Sequence, residues 1–204
     1  MNSSPTPPLL QDFYRGRSVF ITGGTGFVGK VLIEKLLYSF PDIGTLFVLM
    51  RPKTGQLIRQ RREELLSSTA FDRVRSACPA QFAKVVPVVG DIALPGLGIN
   101  PLDLQAVTAS ASVIFHSAAT IRFDEPLKYA LKLNTMGTKR VLELAKKLKS
   151  LAAFVHVSTA YCTVKKINIE EKVYREPISP EKVLEMADIY RCQMAATGVG
   201  GGGG

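Results

Sequence analysis

The segment Thr22-Gly23-Gly24-Thr25-Gly26-Phe27-Val28-Gly29 offers the most specific chemistry in the chain. Its Gly23, Gly26 and Gly29 recur at every third position, and the β-branched and aromatic run Ser18–Thr22 leads straight into them. A strand that meets a bare-backbone turn and then a helix is built to hold an anion. Gly23 permits the tight turn, Gly26 lets backbone N–H groups approach a pyrophosphate, and Gly29 lets helix and strand pack with no side chain between them. The unsatisfied amides and partial positive charge at the start of the helix favour a phosphate there by about 1 kcal/mol. Thr22, Thr25, Phe27 and Val28 belong with these glycines to the expected cofactor-binding loop.

Where the second strand should end, Leu49-Met50 runs into Arg51-Pro52-Lys53. An acidic residue there would hold a ribose 2′-hydroxyl, whereas a guanidinium meets a 2′-phosphate with two parallel charge-assisted hydrogen bonds. The expected cofactor is therefore NADPH rather than NADH. Gly90-Asp91-Ile92 follows the third strand, and Asp91 either accepts from an adenine amino group or caps a turn. Ile92 is placed beside it in the same site. Ser117-Ala118-Ala119 ends the fourth strand with small residues, which leaves Ala118 and Ala119 as backbone a cofactor can pass closely. His116 and His156 read as buried, hydrogen-bonded histidines rather than as acids or bases.

The elements that must position these residues are legible from periodicity. Almost wholly apolar strands are expected at 18–22, 46–50, 85–89, 112–115 and 153–157. Continuous apolar runs imply strands buried on both faces, as in a parallel sheet covered by helices. Helical spacing at 27–40, 56–67, 101–110 and 127–149 alternates with them, and Pro41 stops the first helix. The fold class is thus α/β, a Rossmann-type doubly wound parallel sheet, incomplete at its carboxyl end. Ser179-Pro180 opens a last helix with an apolar stripe at Val183, Leu184, Ala187 and Tyr190.

Composition narrows the classes. With 204 residues, 46% of them hydrophobic, the chain suits one domain. Residues 1–12 are expected to be a disordered amino end, 13–194 the NADP-binding domain, and 195–204 a glycine-rich disordered tail. The net charge of +9 is spread along helices and interleaved with glutamates, without stacking aromatics, so nucleic acid is not the expected partner. Cys78, Cys162 and Cys192 have neither disulfide-framework nor zinc spacing. A reduced, intracellular setting follows, with no metal and no membrane segment in this chain.

Several motifs recur together. Thr22 to Gly29, Gly90-Asp91, Phe115-His116-Ser117-Ala118-Ala119, Asn134-Thr135-Met136-Gly137-Thr138 and Val155-His156-Val157-Ser158-Thr159-Ala160-Tyr161-Cys162 resemble the extended short-chain dehydrogenases. Within them the chain is most similar to the fatty acyl-CoA reductases, with a male-sterility-type NAD(P)-binding domain. The signs are Arg51-Pro52-Lys53, Arg62-Glu63-Glu64-Leu65-Leu66, Ile121-Arg122-Phe123-Asp124 and Glu170-Glu171-Lys172-Val173-Tyr174, over roughly residues 13–174. The resemblance implies NADPH-dependent reduction of a long-chain acyl-CoA to a primary alcohol. It implies that Ser158 and Thr159 supply the hydroxyl that orients the reacting oxygen, and that Asn134 supports the active-site helix and a water. For the full-length family it implies a peroxisomal or endoplasmic reticulum membrane, while this chain as written reads as soluble.

The family's Tyr-x-x-x-Lys pair is expected beyond the last residue. Tyr161-Cys162-Thr163-Val164-Lys165 has the letters but starts at a strand end, and tyrosine and lysine share a face at that interval only on a helix. The sequence therefore leaves two alternatives beside the leading one: a non-catalytic NADP(H)-binding short form, and another extended dehydrogenase such as a thioester reductase.

Overall fold

A computed structural model describes residues 9–122, 124–159, 161, 167–172, 174 and 178–186. Strands β1 (Ser18–Thr22), β2 (Leu46–Met50), β3 (Val85–Val89), β4 (Ala111–His116) and β5 (Ala153–His156) form one sheet in the order β3-β2-β1-β4-β5. Every pairing is parallel. The chain lays β2 and β3 to one side of β1 and then crosses over to lay β4 and β5 on the other. The turns leaving β1 and β4 therefore diverge and open a crevice at their carboxyl ends, where open α/β sheets bind ligands. This is the doubly wound parallel sheet expected from the alternation of apolar runs and helical patterns.

Successive strand residues feed two cores. Val19, Ile21, Val48 and Met50 meet Ile33, Leu36 and Leu37 of α2 (Phe27–Ser39), with Phe71 behind them. Phe20, Phe47, Leu49 and Ile114 face the opposite layer, where α5 (Pro101–Ser110) contributes Val107. Because both faces carry helices, β1 and β2 are buried at every residue.

The edge strands depart from the expectation of burial on both faces. Val86 on β3 and Val155 on β5 are exposed, and His156 is exposed rather than buried. Each edge strand has a single strand neighbour, and the helices cover the middle of the sheet more fully than its margins.

The helices show where local chemistry adjusts the pattern. Helix α1 (Leu10–Tyr14) lies partly within the stretch expected to be disordered, and packing holds it: Tyr14 sits 4.5 Å from Phe40, ring to ring. Helix α3 (Ile58–Ser67) starts later than periodicity suggests, because Gln56 pairs with Lys53 and the side chain of Gln60 accepts from Leu57 N. Helix α4 (Asp72–Ala77) was not foreseen. It is tied to α2 by Arg73, which donates to both carboxylate oxygens of buried Glu34 at 2.8 and 3.0 Å and lies over the Tyr38 ring.

The helix expected at 127–149 runs as α6 (Leu127–Ala130), widens to a π-helical turn at Leu131–Thr135, and continues as α7 (Met136–Ala145). The last helix does open at Ser179, whose Oγ accepts from Lys182 N, and it is described over 180–186 with Val183 and Leu184 half-buried. Ala187 and Tyr190 lie outside the described residues, as do Cys162, Lys165, Cys192 and the segment 195–204.

Helix α5 carries a clean stability test. Asn100 Oδ1 accepts from Asp103 N at 2.9 Å and Pro101 occupies the first helical position. Asn100→Ala is expected to cost about 1 kcal/mol, read as a lowered urea midpoint with an unchanged slope. An unchanged midpoint would show that the cap contributes nothing.

Candidate dinucleotide-binding site

The turn after β1 is held by backbone proximity. Gly23 has φ +74, Gly26 N donates to Gly23 O at 3.0 Å, and a Cβ built on Gly29 would stand 2.2 Å from Gly23 O. Gly24, which the three-residue spacing does not single out, is equally constrained: its Cβ would fall 2.4 Å from Val48 Cγ1. Among the described residues no side chain caps α2 at Gly26 or accepts from the first amides of the helix.

This turn forms one wall of a cleft of about 470 Å³. Gly23, Thr25 and Gly26 line it from the first turn, Arg51 from the end of β2, Asp91 and Ile92 from the end of β3, and Ala118 and Ala119 from the end of β4. Eight of the residues singled out by sequence thus converge on one crevice, from four strand ends that are far apart in the chain. Asp91 Oδ1 accepts from Ala93 N at 2.8 Å, so it caps its turn while also lining the cleft. Its backbone amide donates to the carbonyl of Leu97, a buried leucine held at φ +60 between two left-handed glycines.

The cleft also contains Arg61, which sequence reasoning missed. Its Nη1 donates to the backbone carbonyl of Arg51, and its Nε is buried with no hydrogen-bond partner among the described residues. A buried guanidinium nitrogen without an acceptor costs on the order of 1–3 kcal/mol unless a ligand supplies one. The helical spacing held a signal: Arg61 lies four residues before Leu65, whose burial marks that face of α3 as the inner one.

Other expected residues sit outside the cleft wall. Phe27 and Val28 are exposed on α2, and Gly29 is buried beneath the turn. Thr22 is fully buried, its hydroxyl bonded to His116 Nδ1 at 2.7 Å. Asn134 lies in the π-helical turn and clamps the loop after β4: its Oδ1 accepts from Thr120 N and its Nδ2 donates to Thr120 O, at 2.9 and 3.0 Å. Ser158 and Thr159 are exposed just past β5, brought towards the cleft end of the sheet by Val157 N, which donates to His116 O at 2.9 Å.

His116 is fully buried and hydrogen-bonded at both ring nitrogens, as expected, with Nε2 3.0 Å from Thr138 Oγ1. Burial pushes its pKa down to about 4, and the stacked ring of His156, 5.1 Å away, adds to the effect.

Comparison with known proteins places the chain in a family. A family model for NAD-binding domains, described as male sterility protein, matches residues 21–197. Fatty acyl-CoA reductase 1 of Mus musculus is 41% identical over 176 residues, covering 86% of this chain and 34% of that protein. Fatty acyl-CoA reductase 2 of Homo sapiens is 39% identical over 173 residues, 85% of this chain and 34% of that protein. The terminal R domain from the myxalamid PKS-NRPS biosynthetic pathway superposes with a TM-score of 0.59 at 27% identity, over 72% of this chain and 35% of that one. The chain thus spans about a third of the length of the relatives it matches.

Proposed function

The chain belongs to the male sterility protein family of NAD-binding domains, and from that premise we propose that it holds NADPH for the reduction of a long-chain fatty acyl-CoA to the alcohol. The observation that carries this is the meeting, in one cleft, of an uncapped helix terminus behind a glycine turn with two arginines, Arg51 just past β2 and Arg61 on α3. The fit to a dinucleotide rests on two features of this chain. Its cradle would be filled by any Cβ at Gly29, and the orphaned Nε of Arg61 lacks an acceptor that a phosphate oxygen would provide.

In this reading the amides after Gly26 hold the pyrophosphate, Arg51 and Arg61 hold the ribose 2′-phosphate, and Asp91 and Ile92 border the adenine. When bound, NADPH supplies a hydride. Ser158 and Thr159 donate hydroxyl hydrogen bonds to the thioester carbonyl oxygen and so orient it. Asn134 keeps the loop after β4 in place. Among the described residues no helix is long and apolar enough to cross a membrane. Identity of 39–41% to fatty acyl-CoA reductases, against 27% to the myxalamid R domain, supports a fatty acyl-CoA as the substrate.

Titration of the chain with NADPH and NADH, followed by fluorescence, tests the cofactor. Arg51→Ala is expected to weaken NADPH by roughly ten- to a hundredfold while leaving NADH nearly unchanged, since a hydrogen bond to a charged group contributes about 1.5–3 kcal/mol. Arg61→Ala should shift the preference the same way. Equal affinity for both dinucleotides before and after substitution refutes the 2′-phosphate assignment. Adding long-chain acyl-CoA to the NADPH-loaded chain and following NADPH oxidation tests the substrate, and binding without oxidation would reduce the reading to a dinucleotide-binding module.

A further inference from the structure

The loop that follows β4 forms part of the cleft wall and is pinned at two points. At the first, Ala118 N donates to Thr22 Oγ1 at 3.3 Å, beside Ser117, whose N and Oγ both donate to the Thr22 carbonyl at 3.3 and 2.8 Å. At the second, Thr120 exchanges two backbone hydrogen bonds with the Asn134 side chain. The two pins belong to different elements, the end of β1 and the π-helical turn at Leu131–Thr135. Between them lies one side chain, His116, with Thr22 on its Nδ1 side and Thr138 on its Nε2 side.

The direction of each bond follows from counting hydrogens. Thr138 Oγ1 lies 2.7 Å from the Asn134 carbonyl, so its single proton is spent there. Towards His116 it can then only accept, which places a proton on Nε2 and leaves Nδ1 bare. Thr22 Oγ1 accepts from Ala118 N, and its own proton goes to Nδ1. The chain therefore runs without a gap: Ala118 N–H to Thr22, Thr22 O–H to His116 Nδ1, His116 Nε2–H to Thr138, and Thr138 O–H to the Asn134 carbonyl. The opposite tautomer would leave two oxygens 2.7 Å apart with no hydrogen between them. It would also leave the fully buried Thr22 hydroxyl facing two donors.

We propose that His116, held as the neutral Nε2–H tautomer, is a positioning residue that locks the cleft wall at Ala118 to the π-helical turn carrying Asn134, and thereby sets dinucleotide affinity without touching the ligand. Its role in affinity rests on the reading of the cleft as a dinucleotide site. The lock itself does not. Gly23 shows why the coupling matters, because a Cβ there would stand 2.6 Å from Ala118 N: the phosphate turn and the Ala118 loop are in direct backbone contact, and displacing one displaces the other.

The test uses the intact chain. Histidine ring ¹⁵N spectra at neutral pH are expected to show His116 protonated at Nε2 and bare at Nδ1, and a proton at Nδ1 would overturn the lock. Amide exchange at Ala118 should accelerate in Thr22→Val and in His116→Leu, and NADPH affinity should fall roughly tenfold in each, as expected for one buried hydrogen bond left unmade. His116→Asn restores an acceptor for Thr22 and should recover most of the affinity, whereas a residue needed only to fill space would be rescued by leucine instead. Should His116→Leu fail to fold, Thr138→Val probes the far side alone and should speed Ala118 exchange. Unchanged exchange in both threonine variants overturns the proposal. If the unsubstituted chain binds no NADPH, the dinucleotide reading fails, while the ring spectra and Ala118 exchange still decide the lock.

Discussion

Gly29→Ala is expected to abolish dinucleotide binding, weakening it by at least a hundredfold, and to destabilise the chain by about 3 kcal/mol or more. The added methyl would stand 2.2 Å from Gly23 O, 2.5 Å from Gly24 Cα and 2.8 Å from Gly23 C. All three are backbone atoms, so no rotamer change relieves the overlap. Either α2 withdraws from the turn or the turn opens, and both outcomes separate the helix amides from the residues that complete the cleft. The turn has little room to move, because Gly24 rests against Val48 and Gly23 against Ala118. Gly26→Ala is the comparison for folding: its Cβ would meet nothing nearer than Gly23 O at 3.3 Å, a tight contact that a shift of a few tenths of an ångström relieves. Thermal unfolding paired with an NADPH titration separates the two, with Gly26→Ala folding normally. A Gly29→Ala protein that kept the parent's midpoint and affinity would show that the third glycine is not a packing requirement.

That contrast bears on what the sequence could say about the site. The spacing of Gly23, Gly26 and Gly29 marks a strand-to-helix turn, and the structure gives the outer two a backbone reason. Spacing says nothing about Gly24, whose constraint comes from Val48 on the neighbouring strand, a contact between residues far apart in the chain. Arg51 was legible because it ends an apolar strand. Arg61 was not singled out because α3 is rich in charge, and a basic residue on such a helix reads as solvated until Leu65 is seen to face inwards.

Thr22 illustrates a different limit. The sequence groups it with the cofactor-binding loop, but it is the last residue of β1 and its hydroxyl turns into the sheet towards His116, because β4 lies beside β1 in parallel register with Thr22 opposite His116. Strand neighbours in an α/β sheet are set by the crossover, and no local pattern encodes them. The same holds for His156. An apolar run predicts burial, but β5 is an edge strand, so the ring stacks on His116 while its own residue stays exposed. The π-helical turn around Asn134 was equally hidden, since 127–149 reads as one uninterrupted helical stripe.

Acidification should expose the cost of burying His116. Its pKa is lowered from 6.5 to about 4 in the folded chain, mainly by burial and then by His156. Between those values the unfolded chain holds a proton on this ring and the folded chain does not, so the unfolded state binds more protons and stability rises with pH. The stabilisation is complete above pH 6.5 and is lost as pH falls towards 4, amounting to at most about 3 kcal/mol. Below that range the group contributes no further slope. Urea unfolding of the parent and of His116→Asn, measured from neutral pH down to pH 4, isolates the contribution of His116, because the other ionisable groups are common to both proteins and cancel in the difference. The parent should lose stability more steeply than the variant across that window. Parallel curves would mean that His116 accepts a proton in the folded chain as readily as in the unfolded one, and then neither its burial nor its bonds to Thr22 and Thr138 would hold it neutral.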